Sequence, residues 1–151
     1  MPRLYDPPFL KRYGCAALFC EEARLVLAIP EGHPLYGRGE LTPDELKGSV
    51  LRMPGPGLCE LFDRTAAFLR ENYPQLQVTD MPFRSLEAYN DAFSRQEPIF
   101  TLRQWSLDHP LFKTAAVSLP YTGSFGLIHA LKPSGAVESF LKAVSGLRKK
   151  P

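Results

Sequence analysis

Charge of one sign is what this chain has least of. Its 18 basic and 16 acidic residues leave a formal net charge of +2 over 151 residues, too little for the broad basic face that nucleic acid selects. The one basic cluster, Arg148, Lys149 and Lys150, ends the chain, where cations suit a helix C-terminus on dipole grounds alone. Cysteine is scarce: Cys15, Cys20 and Cys59 form no Cys-x-x-Cys pair, so neither a disulfide framework nor a zinc knuckle is supported, and they read as buried free thiols. His33, His109 and His129 are far apart and build no His-Glu-x-x-His helix, so no metal or cofactor is expected. Long apolar runs are missing too. The longest, residues 25–29, is a strand's length rather than a membrane span's, and residues 1–6 lack the apolar core of a signal peptide. Together these absences predict a cytoplasmic protein with no direct DNA contact and no membrane.

What is present is an ordinary globular composition, 44% hydrophobic and 23% charged, with enough length to bury one core. Proline is the exception, 15 residues or about twice the usual share, and it falls between apolar runs, where it ends elements. Residues 25–29 are continuously apolar and stop at Pro30, as a strand buried on both faces does. Thr42-Pro43-Asp44-Glu45 supplies a cap, a first-turn proline and a capping-box glutamate for a short helix ended by Gly48. Residues 49–53 make a second strand, closed by Pro54-Gly55-Pro56-Gly57. A helix over residues 58–73 follows, with Leu58, Leu61, Phe62, Thr65, Ala66, Leu69 and Tyr73 on one stripe and Asp63, Arg64, Arg70 and Glu71 mostly opposite.

Residues 77–83 read as a third strand despite Pro82, which suggests a strand end at Met81, and Ser85 caps a helix carrying Leu86, Tyr89 and Phe93. Residues 98–102 form a fourth strand, followed by an irregular segment through Trp105. Residues 115–119 and 124–131 are two more, and Ser134 caps a closing helix with Val137, Phe140, Leu141, Val144 and Leu147 on one stripe. Strand and helix alternate through the first four strands. That rhythm predicts an α/β, Rossmann-like subdomain with a mixed, mainly parallel sheet.

The order of these motifs resembles the effector-binding domain of LysR-type transcriptional regulators. The run Leu25-Val26-Leu27-Ala28-Ile29-Pro30-Glu31-Gly32-His33-Pro34-Leu35 resembles that family's strand and His-Pro-Leu turn at the crossing into the second half of the domain. Residues 41–46 are similar to its short capped helix, Ser85-Leu86-Glu87-Ala88 to a helix start, residues 124–132 to its penultimate strand, and residues 134–144 to its closing helix. The resemblance covers roughly residues 18–148 and rests on the order of motifs. The chain departs from the pattern over Ser94-Arg95-Gln96-Glu97-Pro98-Ile99-Phe100-Thr101-Leu102-Arg103-Gln104-Trp105, where the family has a Gly-rich turn into an apolar strand, a difference that bears on the local cleft wall and the ligand type.

The resemblance implies one lobe of a type 2 periplasmic-binding-protein fold, holding a small molecule in the cleft between two such lobes. It implies an N-terminal extension over 1–14, an effector-binding lobe over 15–132 and a C-terminal helix and tail over 133–151, with the winged helix-turn-helix and the first effector lobe outside this polypeptide. A lone lobe is expected to bind its effector weakly.

In an open α/β sheet, ligands bind beyond the carboxyl ends of the strands. Three places qualify. Pro54, Gly55, Gly57, Leu58 and Cys59 leave a strand and open a helix, whose free N–H groups and dipole favour a carboxylate. Arg84 can pair with a carboxylate in bidentate fashion, and Ser85 offers a hydroxyl beside its capping role. Thr101 and Trp105, the only tryptophan, sit at the end of the fourth strand, where Trp105 either walls a pocket or packs in the core. The expected partner is a small-molecule effector such as a carboxylate, and the expected role is regulatory rather than enzymatic.

Two other readings stay open. Cys59 in a helix's first turn is a plausible nucleophile of a cysteine-dependent enzyme, given an exposed thiol and a histidine base. Alternatively the stripe Val137, Phe140, Leu141, Val144 and Leu147 makes the chain an interaction module, a homo-oligomer through its C-terminal helix. Such a stripe either folds back on its own sheet or is exchanged with a second chain.

Overall fold

The computed structural model describes residues 2–81 and 85–148, and of residues 2 and 106–108 it describes the backbone. In chain order the elements are β1 (Pro2–Tyr5), α1 (Pro7–Tyr13), β2 (Cys15–Ala23), β3 (Leu25–Pro30) and β4 (Glu40–Leu41). A 3₁₀ turn (Pro43–Leu46), β5 (Val50–Pro54), α2 (Glu60–Asn72), β6 (Gln77–Met81), α3 (Leu86–Arg95) and β7 (Ile99–Leu102) follow. A second 3₁₀ turn (Arg103–Asp108), β8 (Phe112–Val117), β9 (Gly123–Ala130) and α4 (Gly135–Arg148) complete the chain. Contacts gather these into two compact units, Ala23–Thr122 and the paired segments Met1–Glu22 and Gly123–Pro151. This division cuts across the segments 1–14, 15–132 and 133–151 expected from sequence.

The larger unit is built on a six-stranded sheet of order β4-β8-β3-β7-β5-β6. Every residue of β3 is buried, as its unbroken apolar run requires of a strand with a neighbour on each side and both faces covered. Three of the five pairings are parallel, so the sheet is mixed and mainly parallel. The alternation rule misleads at β3 alone: it runs antiparallel to both β7 and β8. No crossover helix follows it, only β4 and a 3₁₀ turn, and a parallel neighbour needs a crossover.

Helices cover both faces. Ala92, with Ala88, Tyr89 and Phe93 of α3, packs on Ala28, Met81, Ile99 and Phe112. Arg52 of β5 reaches Asp91 on the same helix. Strand alternation then turns Leu51 and Met53 to the opposite face, where α2 contacts β5 and β6 and buries Leu61, Phe62, Thr65 and Leu69. The capping box forms as expected, the Thr42 N–H donating to Glu45 Oε2 at 2.8 Å. Ser85 Oγ accepts from the Ala88 N–H at 3.1 Å and caps α3.

Several expectations need correction. α2 begins at Glu60, because Cys59 is extended and takes the cap position, which leaves Leu58 exposed ahead of the helix. Leu86 is exposed at the first turn of α3 rather than on its apolar face. The segment after Leu102 is a 3₁₀ turn, not irregular chain. Cys15 and Cys20 are half-buried in β2, and only Cys59 is a buried thiol.

The smaller unit holds a three-stranded sheet of order β1-β9-β2. β1 runs antiparallel to β9, with Tyr5 opposite Ser124, so residues read from sequence as an extension supply a strand. They also supply a helix: Asp6 accepts from the Phe9 N–H at 2.7 Å, and Gly14 closes α1 with φ of 56°, a left-handed value that suits glycine. Gly126 of β9 lies where a side chain would strike the Leu18 carbonyl, which is why the strand carries no Cβ there.

Candidate functional site

β7, β5 and β6 are adjacent, and β5 is parallel to both neighbours. Their carboxyl ends therefore emerge at one edge of the sheet, with Pro54 opposite Met81. The three places proposed from sequence share that edge: Pro54, Gly55, Gly57, Leu58 and Cys59 follow β5, Ser85 opens α3 after β6, and Thr101 and Trp105 close β7. Arg84 lies outside the described residues.

The β5–α2 loop is held at both ends. Gly55 donates its N–H to the Met81 carbonyl at 3.2 Å, and Gly57 turns with φ of 90°, a value that favours glycine. The Gly57 N–H donates to the Asp63 carboxylate, 3.1 Å to one oxygen and 3.3 Å to the other. Sequence reasoning set Asp63 on the solvent stripe of α2; here it reaches back over the helix N-terminus and occupies an amide of the loop. No local signal marks this contact, since Gly57 and Asp63 meet only after the loop turns. Glu60 and Asp63 in the first turn further offset the dipole there.

The edge has two sides. On the α2 side, Phe62 stacks on Trp105 with ring centroids 6.3 Å apart and planes 16° off parallel, so the tryptophan packs against the core helix and borders the edge at once. Cys59, the N-cap of α2, is buried, and so lacks the exposure a nucleophilic thiol needs. On the α3 side, Thr101 shares a strand face with Ile99 and is only 2% exposed. Its Oγ1 has no hydrogen-bond partner among the described residues. Buried hydroxyls are seldom left so.

The opposite edge of the sheet carries a cleft of about 400 Å³, bordered by His33, Lys47, Ser49, Val50, Arg95 and Gln96 among others. Several of its polar groups are held by the backbone, while Gln96 Oε1 is buried with no hydrogen-bond partner among the described residues. The His33 Nδ1 accepts from the Leu35 N–H at 3.1 Å, and burial holds the imidazole below its ordinary pKa. His109 makes the same turn with the Leu111 N–H at 3.3 Å, so both histidines have a structural task. Gln96 Nε2 donates to the Glu31 and Phe93 carbonyls at 3.0 Å each. Beside the cleft Arg52, which no sequence signal singled out, joins β5 to Glu97 and, at 2.7 Å, to Asp91.

In the smaller unit the five stripe residues of α4 separate. Leu141 and Val144 are half-buried, whereas Val137, Phe140 and Leu147 are exposed. Among the described residues no helix is long and apolar enough to cross a membrane.

No protein-family model matches the chain, and neither does any curated protein. Solved structures do. The chain is similar to the Synechocystis PCC6803 CcmR regulatory domain in complex with 2-PG, with a TM-score of 0.70 at 13% identity over 99% of this chain and 73% of that one. It is similar to CbnR, a LysR family transcriptional regulator, with a TM-score of 0.69 at 12% identity, over 99% of this chain and 52% of that one. An ancestral cationic amino acid solute binding protein follows the same path, with a TM-score of 0.64 at 10% identity over 97% of this chain and 61% of that one. The fold is thus that of LysR-type regulatory domains and of solute-binding proteins, as the resemblance in sequence implies. The chain spans about half of CbnR.

Proposed function

We propose that this chain is a small-molecule effector-binding module of a LysR-type transcriptional regulator, a cytoplasmic and non-enzymatic role, and that it holds a small carboxylate at the shared edge of β5, β6 and β7. The observation that carries this reading is the convergence of three strand ends, one of which turns on two glycines into a helix N-terminus. The Gly57 amide already accommodates a carboxylate, that of Asp63, so its direction suits an acid. Ser85 and Thr101 supply hydroxyls on the α3 side, and Trp105 a flat apolar wall. Effector binding acts by favouring one packing of the subunits over another.

Thr101→Val separates this role from a structural one. Because Oγ1 has no hydrogen-bond partner among the described residues, the variant keeps or gains stability. The probe is Trp105 fluorescence of the full chain titrated with 2-PG, which is the ligand of CcmR, and with simple aromatic acids. The expected result is a saturable, weak signal, with Kd on the order of a millimolar for a single lobe and about tenfold weaker in Thr101→Val. Equal binding by the two proteins removes Thr101 from the site, and a flat titration for every acid removes the carboxylate reading.

A further inference from the structure

The cleft around His33 and Gln96 lies wholly within the Ala23–Thr122 unit, and at about 400 Å³ it has the size of a small-molecule site. Three stretches enclose it: the turn after β3, the run from the first 3₁₀ turn into β5, and the C-terminal end of α3. Its charges cancel. Glu45 is paired with Arg38, Lys47 with Asp44, Arg95 with Asp91 and Glu97 with Arg52, so four cations meet four anions and the cleft selects no ion of either sign.

One acceptor is left over. Gln96 Nε2 donates to the Glu31 and Phe93 carbonyls, whereas Oε1 is buried with no hydrogen-bond partner among the described residues. An oxygen so placed lacks a donor. Gln96 is also the one non-glycine residue with positive φ among those described, at 58°, a strained conformation of the kind that gathers at ligand sites. Oε1 rests against Gly32, where a Cβ would come within 3.1 Å of it. The Nε2 bond to Glu31 lies at the surface, so water can replace it and let the amide turn Oε1 toward the cleft. The cleft also holds a donor. His33 Nδ1 accepts from the Leu35 N–H, which leaves the proton of the neutral ring on Nε2, and burial keeps that ring neutral near pH 7.

We propose that this cleft binds an uncharged primary carboxamide on a small apolar body, its N–H donating to Gln96 Oε1, its carbonyl accepting from His33 Nε2–H, and its apolar part lying on Pro34, Leu35 and Val50. A carboxylic acid of the same shape has no donor at pH 7 and gains nothing from the balanced charges. The cleft and the strand edge therefore take different ligands, and the proposal is independent of the carboxylate reading.

Backbone amide shifts of the labelled full chain, titrated to about 50 mM with benzamide, benzoate and N,N-dimethylbenzamide, test it. The expected result is saturable shifts at His33, Ser49 and Gln96 with benzamide, with Kd on the order of a few millimolar. The other two lack an N–H donor and should bind there at least about tenfold more weakly. Gln96→Gly keeps the left-handed turn and removes the acceptor; it should hold its Tm and lose the preference for benzamide over the dimethyl analogue. His33→Asn keeps an acceptor for the Leu35 N–H, as an Asx turn does, removes the Nε2–H, and should weaken benzamide about tenfold. Three results overturn the proposal: no shift at these residues with benzamide, equal binding of N,N-dimethylbenzamide, which would mean that water serves Oε1, or an unchanged preference in Gln96→Gly.

Discussion

Replacing Phe62 by alanine is expected to destabilise the Ala23–Thr122 unit by about 3–5 kcal/mol, the usual cost of deleting a buried phenyl ring, and to lower Tm by at least roughly 10 °C. Phe62 is fully buried. It lies in the first turn of α2 and joins two things the edge needs: the contact of α2 with the sheet and the wall behind Trp105. Removing the ring leaves a cavity that α2, held by Leu61, Thr65 and Leu69 on the same face, cannot close without moving. Trp105 then loses its stacked partner, and its emission should shift to the red as water reaches it. Denaturant unfolding followed by tryptophan fluorescence measures both effects. A loss below about 1 kcal/mol would mean that α2 collapses into the space and that Phe62 does not hold α2 to the sheet.

Arg52→Ala comes next. Arg52 is 13% exposed in its side chain and Glu97 17%, and the arginine also holds Asp91 at 2.7 Å. Deleting it leaves the half-buried Glu97 carboxylate without its partner at the rim of the cleft, a loss of about 1–3 kcal/mol for a charge-assisted hydrogen bond that water partly replaces. The double variant Arg52→Met with Glu97→Leu should recover much of that loss, since it leaves no unpaired charge. The pH dependence has a definite sign. Hydrogen bonds from Arg52 first, then from Arg95, hold the Asp91 carboxyl below its ordinary value of 3.8. A depressed folded value gives stability that is complete above the unfolded pKa and lost as pH falls through the folded one. The gap between wild type and Arg52→Ala should therefore narrow below about pH 4. Thermal melts from pH 2 to 7 measure it, and a gap that stays constant would show that Asp91 takes no part.

Locally encoded features are legible in this sequence, and spatially encoded ones are not. β3 is readable because five apolar residues before Pro30 need two covered faces. The capping box of Thr42 and Glu45 and the cap at Ser85 are readable because their donors and acceptors lie three residues apart. The same local chemistry marks α1, with Asp6, two prolines and Gly14, yet so short a helix beside the terminus passes for an extension. β1 carries no such mark: its partner β9 lies more than a hundred residues away. The direction of β3 depends on which strands flank it, and no pattern within the strand records that.

The candidate edge divides in the same way. Pro54, Gly55, Gly57, Ser85, Thr101 and Trp105 are placed by a general rule about strand ends, and parallel pairing of β5 with β6 and β7 brings them to one edge. Asp63 and Arg52 escape that rule because each finds its partner only in space. Asp63 meets the Gly57 amide across a turn, and Arg52 meets Glu97 from 45 residues away. That the Thr101 hydroxyl finds no hydrogen-bond partner among the described residues is likewise invisible until its neighbours are known.

The most direct test of the account is a map of backbone amide shifts in the isotopically labelled chain, titrated to about 50 mM with 2-PG and with aromatic acids, a range that reaches weak binding. The account predicts progressive shifts at Gly55, Gly57, Ser85, Thr101 and Trp105, with His33, Lys47 and Gln96 unmoved. Shifts confined to the cleft around His33 and Gln96, or none at either edge, would contradict it.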